Sequence, residues 1–265
     1  MIRTMVAEGL YYPEDGEELI EQIRAVLAQS SQVPGNSSVV LAPYGSYEIV
    51  LPYIVPALRA AIPHPEVIVI LAPPNSSATP GILLPESEVF ATPLGNVEVD
   101  QPVTGQLRGA ETLFPVDEIA HLRDHSIEIM LPVLHYLFGN TPIVPLLVGP
   151  LEPRALQTAA HSLQKALEHR RWMVLVSANL SGFTSPRRAA VRAREILRLL
   201  MNDPGPAVLD GMLMVPDPPR SFWPILLGHL LAPAGTRPEL LHRGTFETEY
   251  EDDTGSVVFA SIAYR

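Results

Sequence analysis

Four short runs of branched and aliphatic residues, each closing on a small polar or proline-containing stretch, set the strongest limit on what this chain can fold into: SSVVLA (37–42), EVIVILA (66–72), PIVPLLVG (142–149) and WMVLVSA (172–178). A run that is apolar at nearly every position, rather than at every second one, has to be buried on both faces, which is the condition of a central strand in a parallel sheet. Helix-length segments separate the runs. The clearest expected helices span 17–29, 152–169 and 187–201, the last with Ser185 as N-cap and Pro186 at N1. Its Arg187, Arg188, Arg192, Arg194 and Arg198 form a basic face, which solvent ordinarily covers and an acidic partner could also use.

Two further patterns interrupt the alternation. EVFATPLGNVEVD (88–100) has two alternating arms about a Leu94-Gly95-Asn96 turn and reads as a hairpin, and SVVFASIAY (256–264) alternates as a last strand. Alternating strands and helices with such additions predict a three-layer α/β/α sandwich around a mostly parallel, mixed sheet. No repeat, low-complexity linker or composition shift marks a boundary, so 1–265 reads as one domain.

Composition removes whole classes of function. With no cysteine there is no disulfide, thiolate ligand or cysteine nucleophile. A formal charge of -11 opposes binding to nucleic-acid phosphates. The opening MIRTMVAEGLYYPEDGEE lacks a signal peptide's apolar stretch and no run approaches the roughly eighteen apolar residues of a membrane span, so a cytoplasmic protein is expected.

In open α/β sheets ligands sit beyond the carboxyl ends of the parallel strands. The loops there, APYGSYE, APPNSSATPG and SANLSGFT, supply Tyr44, Ser46, Tyr47, Asn75, Ser76, Ser77, Ser177, Asn179 and Ser181, neutral hydrogen-bonding groups with Glu48 as the one formal charge. Such groups serve turns and caps as readily as ligands. They make a poor metal site, because divalent ions need histidine, carboxylate or thiolate donors. A serine nucleophile is equally unsupported, since none of these serines sits in G-x-S-x-G and no histidine shares their loops. The histidine-bearing segment is HLRDHSIEIMLPVLHYLF (121–138), in which His121, His125 and Glu128 share one face if the segment is helical. Pro132 then forces a kink or a late helix start and leaves the Glu128 carbonyl seeking a partner. His125 and Glu128 are expected to form a buried structural pair, with catalytic or ligand roles as the alternative.

Taken in order, these segments resemble the Memo-like family, also called AmmeMemoRadiSam system protein B, whose fold is similar to that of the class III extradiol dioxygenases. GLYYPEDGEEL resembles its opening G-x-W/F-Y-P; LAPYGSYEIVLP its I-A-P-H-A-G-Y-x-Y-S-G-P; LAPPNSS its L-G-P-S-H-H; FATPLGNVEVD its E-T-P-L-G-x-x-x-V-D; and RDHSIEIMLPVL its E-H-S-L-E-x-Q-L-P-F-L. SANLSGF and SVVFASIAY stand at its S-S-D-F-S-H and its final strand. The resemblance implies a metal site whose first histidine is here Tyr44, whose paired histidines are Asn75 and Ser76, and whose aspartate and last histidine are Asn179 and Gly182. A late cysteine of some members falls at or beside Pro218, while His125, Glu128 and Tyr47 keep the family's residues.

These substitutions lead to an expected non-catalytic binding or scaffold protein without metal or cofactor, able to hold a small polar ligand. The alternative is an enzyme, either a non-haem oxygenase-like one using His125, Glu128 and Tyr44 or a metal-free one using Tyr44 as acid. The family's system name implies radical-SAM and AMMECR-type proteins as partners.

Overall fold

A computed structural model describes residues 1–30, 35–75, 79–110, 112–202, 207–213, 215, 218–250 and 253–265. The strands, in chain order, are β1 (Ile2–Arg3), β2 (Val39–Ala42), β3 (Val67–Ala72), β4 (Ile82–Leu83), β5 (Val89–Thr92), β6 (Gly95–Glu98), β7 (Ile143–Val148), β8 (Trp172–Ser177), β9 (Pro238–Tyr250) and β10 (Asp253–Tyr264). The helices are α1 (Gly16–Gln29), α2 (Tyr47–Ala60), α3 (Gln101–Arg108), α4 (Glu118–Arg123), α5 (Leu131–Phe138), α6 (Pro153–Ala166), α7 (Pro186–Asn202), α8 (Ala207–Leu213) and α9 (Phe222–Leu231).

The main sheet runs β4-β7-β3-β8-β2-β10-β9. Its contiguous centre, β7-β3-β8-β2, is parallel and is made by the four apolar runs, while β4, β10 and β9 add antiparallel edges. Within each central strand the pleat sends alternate residues to opposite layers. Val67, Val69 and Leu71 join a core with α6, α7 and α9; Ile68, Ile70 and Ala72 join a second core with α1, α2 and α5. That division is the physical content of the three-layer sandwich, and it explains why the runs are apolar at every position.

Helix ends follow local chemistry. The Asp15 side chain accepts from the amides of Glu17 and Glu18 to open α1, and Asp100 accepts from Val103 N to open α3. Pro186 begins α7, and Ala189 N donates to the Ser185 carbonyl. The hairpin forms one step earlier in sequence than expected: Thr92 pairs with Gly95, so the turn is Pro93-Leu94 and Asn96 lies within β6. It belongs to a separate small sheet with β1.

The segment 121–138 departs most from the sequence reading. It is not one helix: α4 stops at Arg123, Asp124 is extended, a 3₁₀ turn covers Glu128–Met130, and α5 follows with Pro132 in its first turn. His121, His125 and Glu128 therefore do not share a helix face. The cause is local side-chain competition: Asp124 Oδ1 accepts from Ser126 N at 2.8 Å and Oδ2 from Asn75 N at 2.6 Å, which draws the chain out of the helix. The Glu128 carbonyl that Pro132 cannot serve accepts instead from Leu131 N.

Candidate functional site

The loops after β2, β3 and β8 meet at the carboxyl edge of the sheet, where a crevice of about 530 Å³ opens. They contribute Tyr44 and Gly45, Asn75, and Asn179, Ser181, Gly182 and Phe183; the segment between α4 and α5 adds His125, and the residues leading into α9 add Pro218 to Ser221. Tyr11 closes one side from the N-terminal segment, its ring stacked on His125 with centroids 4.7 Å apart.

Tyr44 organises the floor. Its hydroxyl donates to Asn75 Oδ1 at 2.9 Å, and its backbone carbonyl accepts from Asn179 Nδ2 at 3.0 Å. Asn179 N donates to Ser221 Oγ at 3.1 Å, and the Ser221 hydroxyl is in turn a hydrogen-bond partner of the Tyr44 phenol. A carbonyl only accepts, so the Asn179 amide can sit one way round, leaving Oδ1 as its buried end; Asn75 Nδ2 is the corresponding end on the other side, and neither has a hydrogen-bond partner among the described residues. Burial pushes the Tyr44 phenol up to about 12, with the bonds from Ser221 and Asn75 pulling the other way. The phenol is therefore neutral at physiological pH. Burial also holds the His125 imidazole below its ordinary value, against the opposing pull of Asp124 and Glu128.

The other residues singled out in the sequence lie in different places. Ser46 is the N-cap position of α2 and borders the crevice's flank. Tyr47 is buried in the core and donates to the Ile129 carbonyl at 2.7 Å. Ser177 is buried below the floor, donating to the Ser126 carbonyl at 2.7 Å, whereas Ser181 lines the crevice and accepts from Val258 N. Ser76 and Ser77 fall outside the described residues.

Glu128 turns away from the crevice and is not bonded to His125. Its fully buried carboxylate accepts from Arg3 Nη1 at 2.6 Å, Val6 N at 2.9 Å, Ala7 N at 2.8 Å and the Tyr12 hydroxyl at 2.7 Å. It thereby anchors the segment that brings Tyr11 over His125. Burial, followed by the adjacent Glu128 carboxylate, raises the Tyr12 phenol far above its usual range.

Sequence reasoning missed Tyr11, Arg220, Ser221 and Phe183 as parts of the site. Arg220 sits at the mouth, its Nη1 donating to the carbonyls of Pro74 and Asn75. The signal that pointed toward it was positional, since the resemblance implied that a late cysteine of some family members falls at or beside Pro218, and Pro218 lines the crevice. Among the described residues no three His, Asp or Glu side chains are grouped so that they could hold a metal ion, and no helix is long and apolar enough to cross a membrane.

A mixed sheet with helices on both faces and a crevice beyond three adjacent parallel strands defines a three-layer α/β protein, a class in which ligands generally sit at the carboxyl ends of the strands. More narrowly, the chain belongs to the Memo-like protein family, whose model matches residues 3–199. It is 28% identical over 204 residues to a MEMO1 family protein of Methanobrevibacter smithii, covering 71% of this chain and 72% of that one. It is also 28% identical over 220 residues to one of Thermotoga sp. strain RQ2, covering 77% and 79%. The crystal structure of an uncharacterised protein from Escherichia coli K12 shares the fold with a TM-score of 0.51 at 16% identity, over 84% of this chain and 98% of that one.

Proposed function

We propose that this Memo-like protein is a binding protein whose crevice takes a small ligand without metal-dependent catalysis. The observation that carries the reading is the donor set at the crevice floor: a neutral phenol engaged with Asn75 and Ser221, two carboxamides, and one imidazole. A divalent ion of the kind the family resemblance implies does not fit these donors. Amides and a protonated phenol are weak ligands, and one imidazole does not replace the histidines and aspartate that the family resemblance implies. Asp124, whose carboxylate reaches the crevice residue Asn75, already accepts from Asn75 N and from Ser126. Glu128 is taken up by Arg3 and the N-terminal amides.

A metal-free enzyme using Tyr44 as acid is less well supported, because a phenol held near 12 is mismatched to proton transfer near neutrality. Elemental analysis of untagged protein tests the reading. Metal well below one ion per chain is expected; stoichiometric iron, copper or zinc that disappears in His125→Ala would overturn it.

A further inference from the structure

The crevice has a second lobe. Beside the polar chamber, and sharing its Tyr11, Tyr44, Asn179, Phe183 and Val257 walls, lies an apolar hollow of about 430 Å³ formed by Ile49, Val50, Phe246 and Phe259. Two large aromatic side chains stand on its rim in solvent, Phe183 at 59% exposure and Phe246 at 37%. Exposed aromatics edging a concave apolar surface are the mark of a ligand or partner contact rather than of core packing.

The polar lobe holds a complementary feature. Arg220 spends Nη1 on the carbonyls of Pro74 and Asn75, which fixes the guanidinium plane, and neither Nε nor Nη2 bonds to any described residue. No carboxylate among the described residues pairs with it. An arginine so held offers its Nε/Nη2 edge as a two-pronged donor, the geometry that matches a planar carboxylate. The charge balance further selects a monoanion, since the buried Asp124 carboxylate lies under the same floor, bonded to Asn75 N, and opposes a second negative charge.

Resting on the reading of the crevice as a metal-free binding site, we propose that the two lobes together bind one alkyl monocarboxylate, its carboxylate on the Nε/Nη2 edge of Arg220 and its chain laid across Tyr44 into the hollow edged by Phe183 and Phe246. The carboxylate supplies orientation through Arg220, and the chain supplies affinity through apolar burial. Each added methylene should raise affinity about fourfold until the hollow is filled.

Isothermal titration of the full chain with butanoate, hexanoate and octanoate at submicellar concentration tests this, with 1-octanol and octyl phosphate as neutral and dianionic counterparts. Octanoate is expected to bind at least tenfold more tightly than 1-octanol or octyl phosphate, and affinity is expected to climb along the acid series. In Arg220→Gln the preference for octanoate over 1-octanol should vanish while the chain-length trend stays. In Phe246→Ser and Phe183→Ser the trend should flatten while the preference stays. Arg220 and both phenylalanines are exposed, so unchanged thermal midpoints will show that the variants are folded. No octanoate binding, equal binding of the alcohol, tighter binding of the phosphate, or acid binding indifferent to Arg220→Gln would each overturn the proposal. Metal content of the same preparation separates the two readings. Stoichiometric metal removes the metal-free site itself, whereas metal-free protein that ignores octanoate removes only this ligand.

Discussion

Glu128 gives the most exacting test of the physical picture, because its carboxylate is fully buried and every partner comes from residues 3–12. Replacing it with alanine leaves the Arg3 guanidinium, itself 1% exposed, with the carbonyls of Thr4, His121 and Asp124 and the face of the Phe90 ring but no counter-charge among the described residues. It also strips the acceptor from Val6 N, Ala7 N and the Tyr12 hydroxyl. Breaking a buried ion pair from one side costs about 3–5 kcal/mol, and buried donors left without partners cost about 1–3 kcal/mol each before relaxation. These terms overlap, because release of the N-terminal segment would rehydrate all of the groups together. The expected loss for Glu128→Ala is therefore about 4 kcal/mol, the upper part of the single-substitution range. Urea unfolding followed by circular dichroism should show a lower midpoint at unchanged slope. Limited proteolysis should open within the first fifteen or so residues, on the general rule that undocked termini are cleaved first. The double variant Arg3→Met/Glu128→Leu should cost about 2 kcal/mol less than the sum of its single changes, since neither charge is then buried alone. A loss under about 1 kcal/mol for Glu128→Ala, the size of an exposed pair, would refute the reasoning and with it the docking of Tyr11 over the crevice.

Other substitutions probe the neighbouring elements. His125→Ala removes one stacked ring at a partly exposed position and should cost only about 1 kcal/mol in the same unfolding assay, well below Glu128→Ala. Tyr44→Phe should cost about 1 kcal/mol by denaturant titration, because it takes away the donor to Asn75 Oδ1. His121 is fully buried with Nε2 2.9 Å from the Leu83 carbonyl, and burial lowers it to about 4. Between that value and its unfolded value near 6.5 the unfolded chain binds the extra proton, so stability is lost as pH falls through this window, by about 3 kcal/mol at most. His121→Gln should flatten that part of the stability–pH curve, and a parallel curve would contradict the assignment. In Gly228→Ala the new methyl would stand 2.3 Å from Val176 Cγ2, where α9 meets β8, and thermal unfolding should register about 1–3 kcal/mol of overpacking.

The sequence by itself determined the middle of the sheet. Its four runs carry in consecutive residues the information that both faces are covered, and β2, β3, β7 and β8 lie within them. The start of α7 was equally local, written in Ser185-Pro186. Edge strand β9 was not legible: much of it is solvent-exposed, so it has no apolar run to announce it. Nor was the break in 121–138, where helical spacing was outweighed by the Asp124 carboxylate bonding to Ser126 and to Asn75, a residue 49 positions away.

The site divides along the same line. Strand-end loops pointed to Tyr44, Asn75 and Asn179 because the carboxyl edge of a parallel sheet follows from strand order. Only the tertiary structure could join Asn179 to Tyr44 across 135 positions, send Glu128 to Arg3 across 125, or bring Arg220 and Tyr11 to the crevice rim. Strand propensity is a property of adjacent residues and survives in the sequence. The partner of a buried charge or amide is chosen by which chain segments pack together, and no local pattern records that choice.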